Sequence, residues 1–98
     1  MEIIKQQNEN SLNIAIEGRL DTMTAPELEK ELADSLEGVE SLVLDFEKLE
    51  YVSSAGLRVI LAAQKAMNRQ GEMKILNVNE EIMEVFEITG FTDILTIE

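Results

Sequence analysis

Ninety-eight residues suit one folding unit with a single modest core, and an apolar content of 45% excludes a disordered chain. Twenty acidic residues against eight basic ones leave a net charge of −12, which makes nucleic acid and anionic lipid poor partners. Cysteine and histidine are both absent, which excludes disulfides, thiolate chemistry and every histidine-dependent mechanism.

The opening Met1-Glu2-Ile3 has no features of a leader, and no apolar stretch approaches the length of a membrane helix. A cytoplasmic protein without membrane insertion is expected. Ile3 and Ile4 begin a first short strand, and the turn-forming run 8–11, Asn-Glu-Asn-Ser, closes it. Leu12, Ile14 and Ile16 then alternate with polar residues, the period of a strand with one buried face. Gly18 and Asp21 are placed in the loop that follows.

A first helix is expected from Thr24, because Thr24-Ala-Pro-Glu27 has the form of a capping box with proline in the first turn. Ala25, Leu28, Leu32 and Leu36 make its apolar stripe, and Gly38 is the expected left-handed stop. The run 42–46, Leu-Val-Leu-Asp-Phe, is too short for a helix and reads as a strand buried on both faces. A second helix starts at Ser53 or Ser54 and runs to about Gln70, with Gly71 as its stop. Leu57, Ile60, Leu61 and Gln64 fall on one side of it, and Ser54, Arg58, Ala62, Lys65 and Arg69 on another.

A further strand spans 72–78, and Asn79 caps a third helix whose buried side is Ile82, Val85 and Phe86. Gly90 ends that helix, with Phe91 placed to fold back on Phe86. A last short strand is expected over 93–97. Two successive strand–helix–strand units imply right-handed crossovers and parallel pairing. The expectation is therefore an α/β domain spanning 1–98, with a mixed sheet of four or five strands, largely parallel. An antiparallel N-terminal hairpin forms its edge, and three to four helices pack on it.

Ser53 and Ser54 pose the functional question, since they adjoin at a helix start with no histidine to activate them. The simplest reading makes Ser53 an N-cap and Ser54 a small first-turn residue. A nucleophile would need a base in reach, and the run Ser-Ser-Ala-Gly is not the Gly-x-Ser-x-Gly elbow. A covalent switch needs no internal base. A phosphoryl group at a helix start gains from the backbone donors there, and a partner kinase supplies the chemistry.

Gly56 sits inside the first helical turn, where glycine is up to about 1 kcal/mol worse than alanine. Either the helix packs tightly on the sheet at that point, or its start stays open to a second protein. Three of the eight basic residues, Arg58, Lys65 and Arg69, share one stripe of this acidic chain. No Walker loop is present and Asp21 and Asp45 do not make a metal-ligand set. Neither cofactor, metal nor enzymatic activity is expected.

The segments Gly18–Leu28, Leu42–Leu61 and Ile88–Ile97 resemble the STAS domain, in particular the bacterial anti-sigma factor antagonists, in order and spacing over essentially the whole chain. The resemblance implies a partner that is an anti-sigma factor and a serine kinase. The unphosphorylated antagonist binds it and frees the sigma factor, phosphorylation ends the binding, and a phosphatase resets the system. The family's core is commonly Asp-Ser-Ser/Thr-Gly, phosphorylated on the first hydroxyl residue. On this chain Ser54 takes that place, Gly56 the glycine, and Ser53 and Ala55 depart from the pattern, which leaves Ser53 as an alternative acceptor.

The resemblance places Asp21, Ser53, Ser54 and Gly56 at the partner surface, and Arg58, one turn after Ser54 on the same side of the helix, is expected there with Thr22; the free protein is expected to be a monomer. Asp21 is otherwise an ordinary loop carboxylate with little bearing on stability. Two other readings stand beside this one. The first is a regulatory or scaffold subunit of a transporter or signalling complex on the same fold. The second is an acyl carrier modified at Ser35, suggested by the run Asp34-Ser35-Leu36, although carrier serines sit at a helix start.

Overall fold

The computed structural model describes residues 1–98. The chain runs β1 (Glu2–Asn8), β2 (Ser11–Leu20), α1 (Ala25–Ser35), β3 (Ser41–Asp45), β4 (Leu49–Val52), α2 (Ser54–Asn68), β5 (Glu72–Leu76) and α3 (Glu80–Thr89), then a 3-10 turn over Phe91–Asp93. All of the sheet is organised around β2. β1 pairs with it antiparallel from Glu2↔Glu17 to Asn8↔Ser11. β3 pairs parallel with its first half and β4 parallel with its end, while β5 extends the sheet from β3. The α/β architecture, the mixed sheet and the antiparallel N-terminal hairpin are those expected from the sequence, with five strands and three α-helices.

Period-two alternation explains the core. Leu12, Ile14 and Ile16 on β2, Leu42 and Leu44 on β3, and Ile75 on β5 are all fully buried. Burying each such side chain contributes roughly 1.5–3 kcal/mol. Leu28 and Leu32 of α1, Ile60, Ala63 and Met67 of α2, and Ile82 and Phe86 of α3 complete one cluster of 23 buried residues. Asn79 caps α3 by accepting from the Ile82 N–H at 2.8 Å. Gly90 is left-handed at φ 80°, and Phe91 stacks on Phe86 with ring centroids 6.2 Å apart.

Six details differ from the sequence reading. β1 is longer than Ile3–Ile4 because the ladder to β2 carries the polar run as far as Asn8. β3 is not buried on both faces: Val43 and Asp45 are half-buried, since an open cavity of about 280 Å³ lies on that side of the sheet. Gly18 is not in a loop but inside β2, at φ 96°, where the register to β4 shifts. The fifth strand is β4, not 93–97. That C-terminal segment makes a single bridge, Ile97 beside Ile75, because the 3-10 turn takes up the preceding residues.

The sixth is Gly71, which is not left-handed. Its role is steric, since a Cβ there would lie 1.9 Å from the Glu40 carbonyl oxygen. Ser35 is buried near the end of α1 and accepts a hydrogen bond from Lys5 Nζ at 3.0 Å. That burial removes the acyl-carrier reading, which needs an open serine at a helix start.

The Gly71 contact yields a prediction. Gly71→Ala drives a methyl into backbone that cannot rotate away, so a loss of about 3 kcal/mol is expected, at the upper end for overpacking. Chemical denaturation measures it, and an unchanged midpoint would show that the backbone leading into β3 and β5 yields freely.

Candidate functional site

β2 and β4 are parallel neighbours whose last pair is Leu20↔Val52. Their carboxyl ends therefore lie together, and each leads directly into a helix, α1 after β2 and α2 after β4. The Ser53 N–H donates to the Leu20 carbonyl at 2.9 Å and locks the two strand ends to each other. This pairing gathers Asp21, Thr22, Ser53, Ser54 and Arg58, which the sequence separates by some thirty positions. A cleft of about 200 Å³ lies between the two helix starts, with Thr22 and Pro26 on one wall and Ala55 and Arg58 on the other.

The two serines have different surroundings. Ser53 is the N-cap of α2, in extended conformation, half-buried, and its hydroxyl accepts from the Gly56 N–H at 3.4 Å. Ser54 is the first helical residue, is exposed, and its hydroxyl has no partner within the chain. Arg58 stands one turn further on, exposed and unpaired, and Ala62, Lys65 and Arg69 continue the exposed stripe. The first N–H groups of α2 add their partial positive charge beside Ser54.

Gly56 departs from the expectation of an open partner contact. It is buried, and a Cβ there would lie 2.7 Å from Leu20 Cγ and 2.9 Å from the Leu20 carbonyl. Tight packing of α2 on the end of β2 is what requires this glycine, and that packing holds Ser53 and Ser54 in place.

Asp21 is more than a loop carboxylate. The expected box at Thr24 and Glu27 does not form: Thr24 has helical backbone angles and makes no side-chain cap. Its hydroxyl is used one turn earlier, accepting from the Asp21 N–H at 2.8 Å and lying 2.8 Å from the Arg19 carbonyl. Asp21 Oδ1 in return accepts from the N–H groups of Met23 at 3.0 Å and Thr24 at 3.2 Å. The reciprocal box is thus Asp21 with Thr24, three residues upstream of the expected one. Arg19 lies 3.7 Å from Asp21 Oδ2 and stacks over the Tyr51 ring at 4.3 Å. Partial shielding pushes the Asp21 carboxyl upward, but the Thr24 and Met23 N–H groups, the Thr24 hydroxyl and Arg19 outweigh it and hold it below the ordinary aspartate value. Arg19, Tyr51 and Met23, which is 87% exposed, were not singled out in the sequence. The β2–β4 register puts Arg19 opposite Tyr51, and Met23 lies in the turn that follows β2.

Two helix starts, one free serine hydroxyl and a basic stripe thus lie together at the carboxyl ends of β2 and β4. Residues 2–98 match the STAS domain. The chain is 35% identical over 99 positions to the anti-sigma factor antagonist BtrV of Bordetella bronchiseptica, covering 99% of this chain and 85% of that one. It is 33% identical over 93 residues to the anti-sigma-B factor antagonist of Bacillus subtilis, covering 94% and 85%. Among solved structures, the Bacillus anti-sigma factor antagonist SpoIIAA superposes with a TM-score of 0.78 in its unphosphorylated form at 16% identity, covering 99% of this chain and 87% of that one. Its phosphorylated form gives 0.78 at 17% identity, covering 99% and 91%. The protein belongs to the STAS domain family, among the anti-sigma factor antagonists.

The lowered Asp21 pKa fixes a sign. Its charged form is favoured by the fold, so the stability it contributes is present above the ordinary aspartate pKa and lost as pH falls through the lower folded value. At neutral pH Asp21→Asn is expected to melt below the wild type, with the gap closing as pH drops from about 4 towards 2. Melting curves over that range test it; a variant equal to wild type at neutral pH would return Asp21 to the role of a passive loop residue.

Proposed function

We propose that the chain acts as one module, residues 1–98, in partner switching. Unphosphorylated, it binds an anti-sigma factor that is also a serine kinase, and so frees a sigma factor. Phosphorylation of Ser54 ends the binding, and a phosphatase restores it. The observation that carries this reading is the contrast between the two serines: the Ser53 hydroxyl is committed to capping α2, whereas that of Ser54 is exposed and unbonded. The names of the relatives, anti-sigma factor antagonists in Bordetella and Bacillus, support the partner class. A fold neighbour solved in phosphorylated form supports the switch. The chemistry of transfer resides in the kinase, so no base is needed on this chain. Asp21, Thr22 and Arg58, gathered around Ser54 by the strand pairing, form the surface the kinase reads.

The physical logic separates stability from affinity. A phosphate adds about −1.5 to −2 charge. At a helix start that charge is tolerated, or stabilises by roughly 0.3–1 kcal/mol. In the middle of an interface the same charge must be desolvated, and an unpaired one costs several kcal/mol, roughly a hundredfold or more in affinity.

Ser54→Ala is therefore expected to fold, bind the kinase and resist phosphorylation. Ser54→Asp is expected to fold with a melting temperature close to wild type and to bind at least about tenfold more weakly. Incubation with the anti-sigma factor kinase of the same organism and ATP, peptide mapping, and calorimetry of each form decide the matter. Phosphate on Ser53 would move the site by one residue; phosphoprotein that binds as tightly as the free form would end the switch reading.

A further inference from the structure

We infer that the seam between α1 and α2 receives an amphipathic helix of the anti-sigma factor, laid from the cleft between the two helix starts along the two helices. This rests on the partner reading above and extends it to the element that docks. An open groove of about 190 Å³ runs between the helices, and seven of its eight lining residues are hydrophobic. α1 gives it Leu32, Ala33 and Leu36 beside Glu29, and α2 gives it Val59, Ala62 and Ala66 beside Ala63. On each helix these positions follow i, i+3, i+4, i+7, one face that is apolar apart from Glu29 at the start of the α1 row. Two such faces lining one groove are two members of a three-helix arrangement, and what they lack is a third helix.

Alanines in a helix pair have an ordinary explanation, since they let the pair close on itself. That accounts for Ala63, which is 3% exposed. It does not account for Ala33 and Ala62, which are exposed on the groove walls. Small residues there leave room for a helix backbone to come close.

Three features select the occupant. The groove opens into the cleft between the helix starts, which Thr22 and Arg58 line, because Glu29 and Val59 line both cavities. Its two borders differ in sign: Arg58 and Lys65 stand exposed along α2 and Arg69 at its end, while Glu29 stands exposed on α1 and Glu37 just past its end, and Lys30 is tied to Asp34 at 3.4 Å. A helix with an acidic flank towards α2 and a basic flank towards α1 fits that polarity. A second copy of this chain is disfavoured by its own charge of −12.

The test fills the groove and leaves the serine alone. Ala33→Leu with Ala62→Leu exchanges one strong helix former for another at exposed positions, and Lys65→Glu reverses one border. Each is titrated against the anti-sigma factor kinase of the same organism, with melting temperature, phosphorylation kinetics and sedimentation in parallel. The double variant is expected to lose about tenfold or more in affinity. Its KM for Ser54 phosphorylation should rise by the same factor while kcat stays within about twofold of wild type. Lys65→Glu is expected to slow association and flatten its salt dependence. A folded double variant that binds within about twofold of wild type overturns the seam while leaving the switch intact. If the double variant does not fold, unchanged association of Lys65→Glu overturns it instead. Self-association of the wild type that the double variant abolishes would assign the groove to a second copy and overturn it too. Wild type that neither binds the kinase nor is phosphorylated overturns both readings together.

Discussion

The first turn of α2 rests directly on the end of β2, and most of the molecule's arrangement follows from how closely it does so. Leu20 and Val52 leave no space for a side chain at residue 56. With glycine there, the Ser53 N–H reaches the Leu20 carbonyl at 2.9 Å and the ends of β2 and β4 are joined. Everything at the carboxyl edge of the sheet inherits its position from that junction. The Asp21 turn leads α1 away from one strand end, and the Ser53 cap leads α2 away from the other. A surface assembled this way needs no long loop, because its parts are the first residues of two helices and the turns that lead into them.

The same junction separates two kinds of residue. Ser53, Gly56 and Thr24 face inward or spend their polar atoms on local hydrogen bonds. Ser54, Arg58, Ala62, Lys65 and Arg69 are exposed, and neither the Ser54 hydroxyl nor the three cations are bonded within the chain. Asp21 stands between the groups, since one oxygen is bound to backbone while the other faces Arg19. Adjacent serines of identical chemistry thus acquire different properties from one residue of displacement along a helix start.

Periodicity made the architecture legible. Leu12, Ile14 and Ile16 mark a strand, and Leu28 and Leu32 mark a helix, because removing one apolar face from water is what chiefly stabilises both. Local capping was legible where one residue acts alone, as at Asn79 and Gly90. It failed at Thr24 because two residues compete for the same hydroxyl, and the Asp21 N–H takes it. β4 escaped notice for another reason. It has four residues, and only Leu49 and Val52 are buried, out of phase with alternation, where the register to β2 shifts. Ser54 and Arg58 could be picked out from a helix start and a charge stripe. Tyr51 and Arg19 could not, since only the pairing of strands distant in sequence brings them together.

The exposed stripe on α2 has a consequence for divergence. Substitutions at exposed helix positions that make no internal contact change stability by about 0.5 kcal/mol or less. Ser54 apart, the stripe residues are such positions, so they are free to vary without endangering the fold, whereas Leu20, Val52 and Gly56 beneath them are not. Were the stripe proposed here as a partner surface to differ between paralogous domains in one cell, each would carry its own surface code over the same floor. Insulation against cross-talk would then arise by drift along one helix, with no change to the scaffold that carries it.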